Sequence, residues 1–280
     1  MISRQNQPAP FSTNPEENPP AKARQLFPRG LFQPEGSFRF SLASLLPAAF
    51  AQLHEVDDKL ADLGAGCGAA GFAALLRLPR LQVTAVEREH VLCEAIQRNA
   101  ALLGLTEGIR VVEADLSESL PEDLRASAGV VLANPPYRRK GHGRLPPSGL
   151  RARALFEDGP HTLPDFCRAA AFCLCPEGRF IAVYPAERLA DLRGALEAAG
   201  LGLSRLRPVR SFADTPDSLV LTEARPSGFC GPAEPFFEAP LVLHHKMEGQ
   251  TFLTREALEF CPELDGKARD SISQSVPIEP

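Results

Sequence analysis

The chain has 280 residues, 44% of them hydrophobic, and a formal net charge of −5 at neutral pH. That length suffices for one large core or two small ones, and no apolar run reaches the roughly 18 residues of a membrane span. The acidic balance disfavours nonspecific coating of nucleic acid, and seven cysteines without a signal-peptide pattern indicate reduced thiols in a cytoplasmic protein.

Residues 1 to 30 carry many Pro, Asn, Gln and Ser with few large apolar side chains, which predicts a disordered tail. Residues 263 to 280 read as a second, flexible tail, leaving one domain over residues 31 to 262. Within it, short apolar runs alternate with segments of helical period. Strands are expected at Lys59 to Leu63, Gln82 to Val86, Ile109 to Glu113, Gly129 to Ala133, Arg179 to Tyr184, Leu203 to Arg210 and Ser218 to Thr222. Helices are expected at Gly68 to Arg77, Arg88 to Leu103, Leu163 to Cys173 and Ala186 to Ala199, with Gly104 and Gly200 as left-handed caps. Leu241 to His245 and Thr251 to Leu253, on either side of Glu248-Gly249, have the pattern of a terminal hairpin. The expected fold is α/β: a Rossmann-like, doubly wound sheet of seven strands, mostly parallel, with one antiparallel strand near the C-terminus.

The first strand runs into Asp62-Leu63-Gly64-Ala65-Gly66-Cys67-Gly68, which opens the first of these helices. Glycines there permit a tight turn and close approach of backbone to a ligand. Gly66-Cys67-Gly68-Ala69-Ala70-Gly71 also fits the dinucleotide pattern G-x-G-x-x-G, so the turn alone leaves a dinucleotide and S-adenosylmethionine both open. Glu87, ending the second strand, suits ribose hydroxyls in either case. Asp62 favours S-adenosylmethionine, because an acid there can meet the cofactor's ammonium, whereas it would repel a pyrophosphate. Asp115, after the third strand, is a candidate acceptor for the adenine amino group, with a plain loop carboxylate as the alternative.

Asn134-Pro135-Pro136-Tyr137 ends the fourth strand, where ligands of doubly wound sheets bind. Its chemistry suits a planar NH₂ group, whose nitrogen is a poor nucleophile because its lone pair is delocalised. The Asn134 side-chain oxygen and the Pro135 carbonyl can take the two N–H groups and favour the pyramidal state. Pro135 and Pro136 stiffen the backbone, and Tyr137 can stack on a planar substrate. No dedicated base is required, since the proton can leave after the nitrogen has become cationic.

These motifs, with Asn134 lying 70 residues after Gly64, resemble the class I methyltransferases that carry an Asn-Pro-Pro-Tyr motif. Within that group the chain is most similar to bacterial tRNA adenine N6-methyltransferases, which modify an anticodon-loop adenosine. The similarity covers residues 31 to 255, including Phe38 to Leu46 and Asn134 to Glu157. It implies S-adenosylmethionine held by Asp62, Gly64, Ala65, Gly66, Glu87, Asp115, Leu116 and Asn134, and methyl transfer carried by Asn134, Pro135 and Tyr137. The chain departs from the family at Ala43, where Asp is usual, and at Phe156, where His is usual.

A basic stretch follows the motif. Arg138, Arg139, Lys140 and Arg144, with Pro136, are the expected substrate contacts, suited to RNA phosphates beside an unpaired base. A solvated charge run is the alternative. The same motif serves protein glutamine, DNA adenine and rRNA guanine amino-methylation, and a dinucleotide-dependent oxidoreductase is the reading from another class. Cys167, Cys173 and Cys175 lack a second pair at zinc spacing, and His244 and His245 point to opposite faces of a strand, so no metal is expected.

Overall fold

The computed structural model describes residues 19–37, 39–136, 162–229 and 234–266. Five strands form a parallel half-sheet: Lys59–Leu63 (β1), Gln82–Glu87 (β2), Ile109–Glu113 (β3), Ala128–Ala133 (β4) and Leu174–Pro185 (β5). Asp217–Pro226 (β7) lies antiparallel between β5 and Leu201–Arg210 (β6), giving the order β3-β2-β1-β4-β5-β7-β6. This is the expected seven-stranded sheet with one reversed strand. Two short strands, Phe236–Phe237 (β8) and Leu241–Val242 (β9), add parallel pairings along β6.

The strands read as near-continuous apolar runs because both faces are covered, and successive side chains alternate between them. Leu60, Val130, Leu132, Ile181 and Val183 join one apolar cluster with helices Leu46–Phe50 (α2), Ala69–Arg77 (α3) and His90–Leu103 (α4). Ala61, Leu63, Val131, Ala133, Phe180 and Tyr184 join the other with Leu163–Cys173 (α5) and Leu189–Ala198 (α6). Gly104 and Gly200 have φ of 61° and 75°, as helix caps in the left-handed region require.

Three boundaries differ from expectation. The predicted tail over residues 1 to 30 is corrected from residue 19 on: Pro19–Leu26 (α1) packs against α4, and Phe27 is 6% exposed. Its apolar content is low because polar bonds hold it, with Arg24 donating through Nε to Leu103 O and through Nη2 to Gly104 O, each at 2.6 Å. The predicted C-terminal tail is likewise corrected as far as residue 266. Leu264 is fully buried, Glu263 pairs with Arg77 at 2.6 Å, and Arg29 Nε donates to Gly266 O.

The terminal hairpin is the third. It forms from His244–Met247 (β10) and Gln250–Leu253 (β11), with Glu248 and Gly249 both at positive φ in a two-residue turn. Leu241 and Val242, expected in its first strand, pair with β6 instead. Arg255–Phe260 (α7) follows, capped by Thr254 Oγ1 accepting from Ala257 N. Among the described residues no helix is long and apolar enough to cross a membrane.

Candidate cofactor and methyl-transfer site

A cleft opens at the carboxyl ends of β1, β2, β3 and β4. The expected residues Asp62, Gly64, Ala65, Gly66, Glu87, Leu116, Asn134, Pro135 and Pro136 all stand on its wall. The turn after β1 is built on three left-handed glycines, Gly64, Gly66 and Gly68, at φ of 65°, 60° and 86°. A side chain at Gly66 would meet no atom within 4 Å, so its requirement is conformational, and it leaves bare backbone facing the cleft. At Gly64 a Cβ would come within 3.0 Å of the Phe166 ring, which α5 brings to the cleft.

Two buried carboxylates frame this turn. Glu87 accepts from Gly66 N at 2.8 Å through one oxygen, and from Arg88 N and Glu89 N through the other. Burial raises its pKa, the three N–H groups oppose that rise, and the charge of Glu89 adds to it. A carboxylate has about four acceptor sites, so these bonds leave one for a ligand hydroxyl. Asp62 accepts from Gly71 N at 2.9 Å. Burial first, with Glu87's charge adding, pushes its pKa up to about 7 against the pull of the Gly71 N–H.

Asp115 is not on the cleft wall. Its Oδ1 accepts from the backbone and hydroxyl of Ser117, and its Oδ2 lies 3.7 Å from Arg88 Nη1. The short carboxylate folds back on its own turn, while its neighbours Ala114 and Leu116 line the cleft. Tyr137, Arg138, Arg139, Lys140 and Arg144 lie outside the described residues, as does Phe156.

Asn134 leaves β4 beside β1, where Ala133 registers with Leu63. Its Nδ2 donates to Ser44 Oγ at 3.2 Å, while its Oδ1 is buried and takes no hydrogen bond among the described residues. A buried acceptor left alone is costly, which marks Oδ1 as a place for a ligand's N–H. Ser44 itself, with Phe40 and Pro47 on the same wall, was not among the expected site residues. Ala43 turns the other way, into the apolar cluster, so the usual acid there has no counterpart facing this cleft.

The remaining candidates resolve as packing. Cys167 and Cys173 are buried thiols whose pKa burial pushes up to about 12. The His244 ring lies 5.8 Å from that of Phe212, and His245 stacks on Phe252. Among the described residues no group of His, Cys, Asp or Glu is arranged to hold a metal ion.

The model of the methyltransferase small domain family matches residues 42–187, just over half of the chain. The chain belongs to this family. S-adenosylmethionine is therefore its methyl donor, and the cleft fits that molecule: bare glycine backbone, two carboxylates for cationic and hydroxyl groups, and apolar Val86 and Leu116 for a flat ring. A curated relative, the tRNA1(Val) (adenine(37)-N6)-methyltransferase of Porphyromonas gingivalis strain ATCC 33277, is 29% identical over 189 residues, 65% of this chain and 71% of its own. The release factor glutamine methyltransferase of Chlorobaculum tepidum is 38% identical over a shorter span of 77 residues, 27% of this chain and 26% of its own. Among solved structures, a predicted O-methyltransferase of Agrobacterium tumefaciens superposes with a TM-score of 0.61 at 22% identity, covering 79% of this methyltransferase and 96% of that chain. That likeness concerns the fold.

Proposed function

We propose that this methyltransferase modifies the exocyclic N6 amino group of an adenosine in RNA, with a tRNA anticodon loop as the substrate. The observation that carries the reading is the unsatisfied, buried Asn134 Oδ1 at the end of β4, on the wall of the cofactor cleft. The name of the P. gingivalis relative supports adenosine in tRNA, and the basic run from Arg138 to Arg144 supports a phosphate-bearing substrate.

When bound, S-adenosylmethionine supplies an electrophilic methyl group. Asp62 and Glu87 would hold its ammonium and ribose ends, and the bare backbone of the turn from Gly64 to Gly66 would let it come close. Asn134 Oδ1 takes one N–H of the incoming amine and the Pro135 carbonyl takes the other, so the lone pair is withdrawn from the ring and aimed at the methyl carbon. The nitrogen would become cationic as its bond to the methyl carbon forms and the donor's carbon–sulfur bond breaks, leaving S-adenosylhomocysteine with that electron pair on sulfur, and would then lose its proton to water.

The test is transfer of labelled methyl to fractionated RNA followed by nucleoside mass spectrometry. Label is expected as N6-methyladenosine in tRNA, and Asn134→Ala is expected to lower kcat by about 100-fold or more while S-adenosylhomocysteine still binds. The match to the release factor enzyme favours one second reading, methylation of a protein glutamine amide, whose planar NH₂ makes the same two hydrogen bonds. Label entering protein and never RNA would establish that reading in place of the first.

A further inference from the structure

We infer that the β10–β11 hairpin is a docking platform for the RNA beside the reacting adenosine. The inference rests on the reading of the substrate as RNA. β5 and β6 both run antiparallel to β7, and Pro185 and Val209 both register with Leu219. The carboxyl end of β6 therefore stands on the edge of the sheet at which β1 to β4 open the cofactor cleft. β9 continues in that direction: Leu241 and Val242 pair in parallel with Val209 and Arg210, and Leu243 N and His244 N bond to Arg210 O and Ser211 O at 2.9 Å each. The hairpin begins there, so it projects past the edge by up to about 13 Å, the length of a four-residue strand. Counted from β4, the order is β5, β7, β6, β9, which sets the hairpin about 19 Å to one side of Asn134. A strand whose adenosine sits at Asn134 passes the hairpin with its neighbouring nucleotides.

The pleat gives the hairpin two unlike faces. His244 and Lys246 share one, and Phe212 from the turn after β6 braces it, with its ring 5.8 Å from the His244 ring and 5.3 Å from the Lys246 ammonium. A two-stranded hairpin is marginal alone, and this brace holds it together with Thr254, whose N–H and hydroxyl donate to Leu243 O and Val242 O. The opposite face presents His245, Met247, Gln250 and Phe252 to solvent, with Met247 57% and Phe252 37% exposed. On it the His245 and Phe252 rings stack, their centroids 5.9 Å apart. Folding gains nothing from a thioether and a phenyl ring left in water. None of these four residues is acidic in a chain of net charge −5, and Glu248, the one acid of the hairpin, sits in its turn. An open pair of rings receives an unpaired base of any sequence, and a face without carboxylates does not repel the phosphates that come with it.

The experiment measures the affinity of fractionated tRNA, and the KM for methyl transfer to it, in Phe252→Ser and Phe252→Trp. S-adenosylhomocysteine binding by calorimetry checks the fold, and light scattering gives the oligomeric state. Phe252→Ser is expected to weaken RNA binding and raise KM by about tenfold, with cofactor affinity within about twofold of wild type. Phe252→Trp keeps a stacking ring and is expected to bind RNA within about twofold of wild type. The proposal is overturned if Phe252→Ser binds RNA as wild type does, if Trp weakens binding as much as Ser, or if cofactor affinity falls in step with RNA affinity. A wild-type dimer that Phe252→Ser dissociates also overturns it, since a second copy then covers the face. If the wild type transfers no label to RNA, the reading of the substrate itself fails, an outcome distinct from an active wild type whose KM Phe252→Ser leaves unchanged.

Discussion

Asp62 serves two opposed demands. Its carboxyl is buried at the end of β1 beside a second acid, and its pKa stands at about 7 against an ordinary value of 3.8. The folded state thus holds a proton that the unfolded chain has released, so stability falls as pH rises from about 4 to 7 and stays low above that. Asp62→Asn keeps an acceptor for the Gly71 N–H without the charge. It is expected to melt above wild type at pH 8, with the gap narrowing towards pH 4, yet to bind S-adenosylhomocysteine at least about tenfold more weakly, because the ammonium loses its counter-charge. Ligand binding favours the ionised form, so wild-type affinity should rise between about pH 5.5 and 7.5 while that of Asp62→Asn stays flat. Matching affinity profiles for the two proteins would refute the assignment. That Asp62, Glu87 and the glycines share one cleft was legible in the sequence, because Asp62 and the glycines follow one another along the first strand and its turn and Glu87 ends the neighbouring strand. Ser44 and Phe166 were not, since neither belongs to a local motif and each meets the site only through the fold.

Helix α4 joins the cofactor turn to the segment that precedes β1. Asn99 on this helix is fully buried and makes three hydrogen bonds: Oδ1 accepts from Phe32 N at 2.7 Å, and Nδ2 donates to Phe32 O and Cys67 O, each at 3.0 Å. Cys67 lies within the glycine turn, so one side chain ties that turn to the strap leading towards Ser44. Asn99→Ala strands three backbone groups, the buried Cys67 O and the half-buried N–H and C=O of Phe32. A loss of about 2 to 3 kcal/mol in chemical denaturation is expected, with weakened S-adenosylhomocysteine binding although Asn99 does not line the cleft. A loss below about 0.5 kcal/mol would show that water replaces the amide without cost. The helix itself was legible from its period and from Gly104, but a mid-helix Asn gives no sign of its partners. Strands fared similarly. β1 to β4 read cleanly as apolar runs, whereas the opening of β5 was missed because Pro176, Glu177 and Gly178 look like a turn and sit where the β4 pairing shifts register.

The first and last described segments close on each other, which moves the limits of the domain outward at both ends. Phe27 and Leu264 are buried in the same apolar cluster as the helices that carry the cofactor turn, and Arg29 Nε donates to Gly266 O at 3.0 Å. The approach is close enough that a Cβ at Gly266 would lie 3.0 Å from Pro28 Cδ and 3.1 Å from Phe27 O. Sequence pattern could not reveal this, because a single Phe in a Pro-rich stretch has no period, and the contact spans nearly the whole chain. If the two ends are part of the cooperative core, removing one anchor should destabilise the whole rather than fray a tail. Phe27→Ala is expected to cost about 3 kcal/mol in denaturant unfolding, with a single transition retained. Hydrogen exchange should then accelerate at Leu264 N, which bonds to Cys261 O, as well as at Arg29 N, which bonds to Leu26 O. A cost under about 1 kcal/mol, with faster exchange confined to residues before 31, would return the boundary to where the apolar pattern first put it.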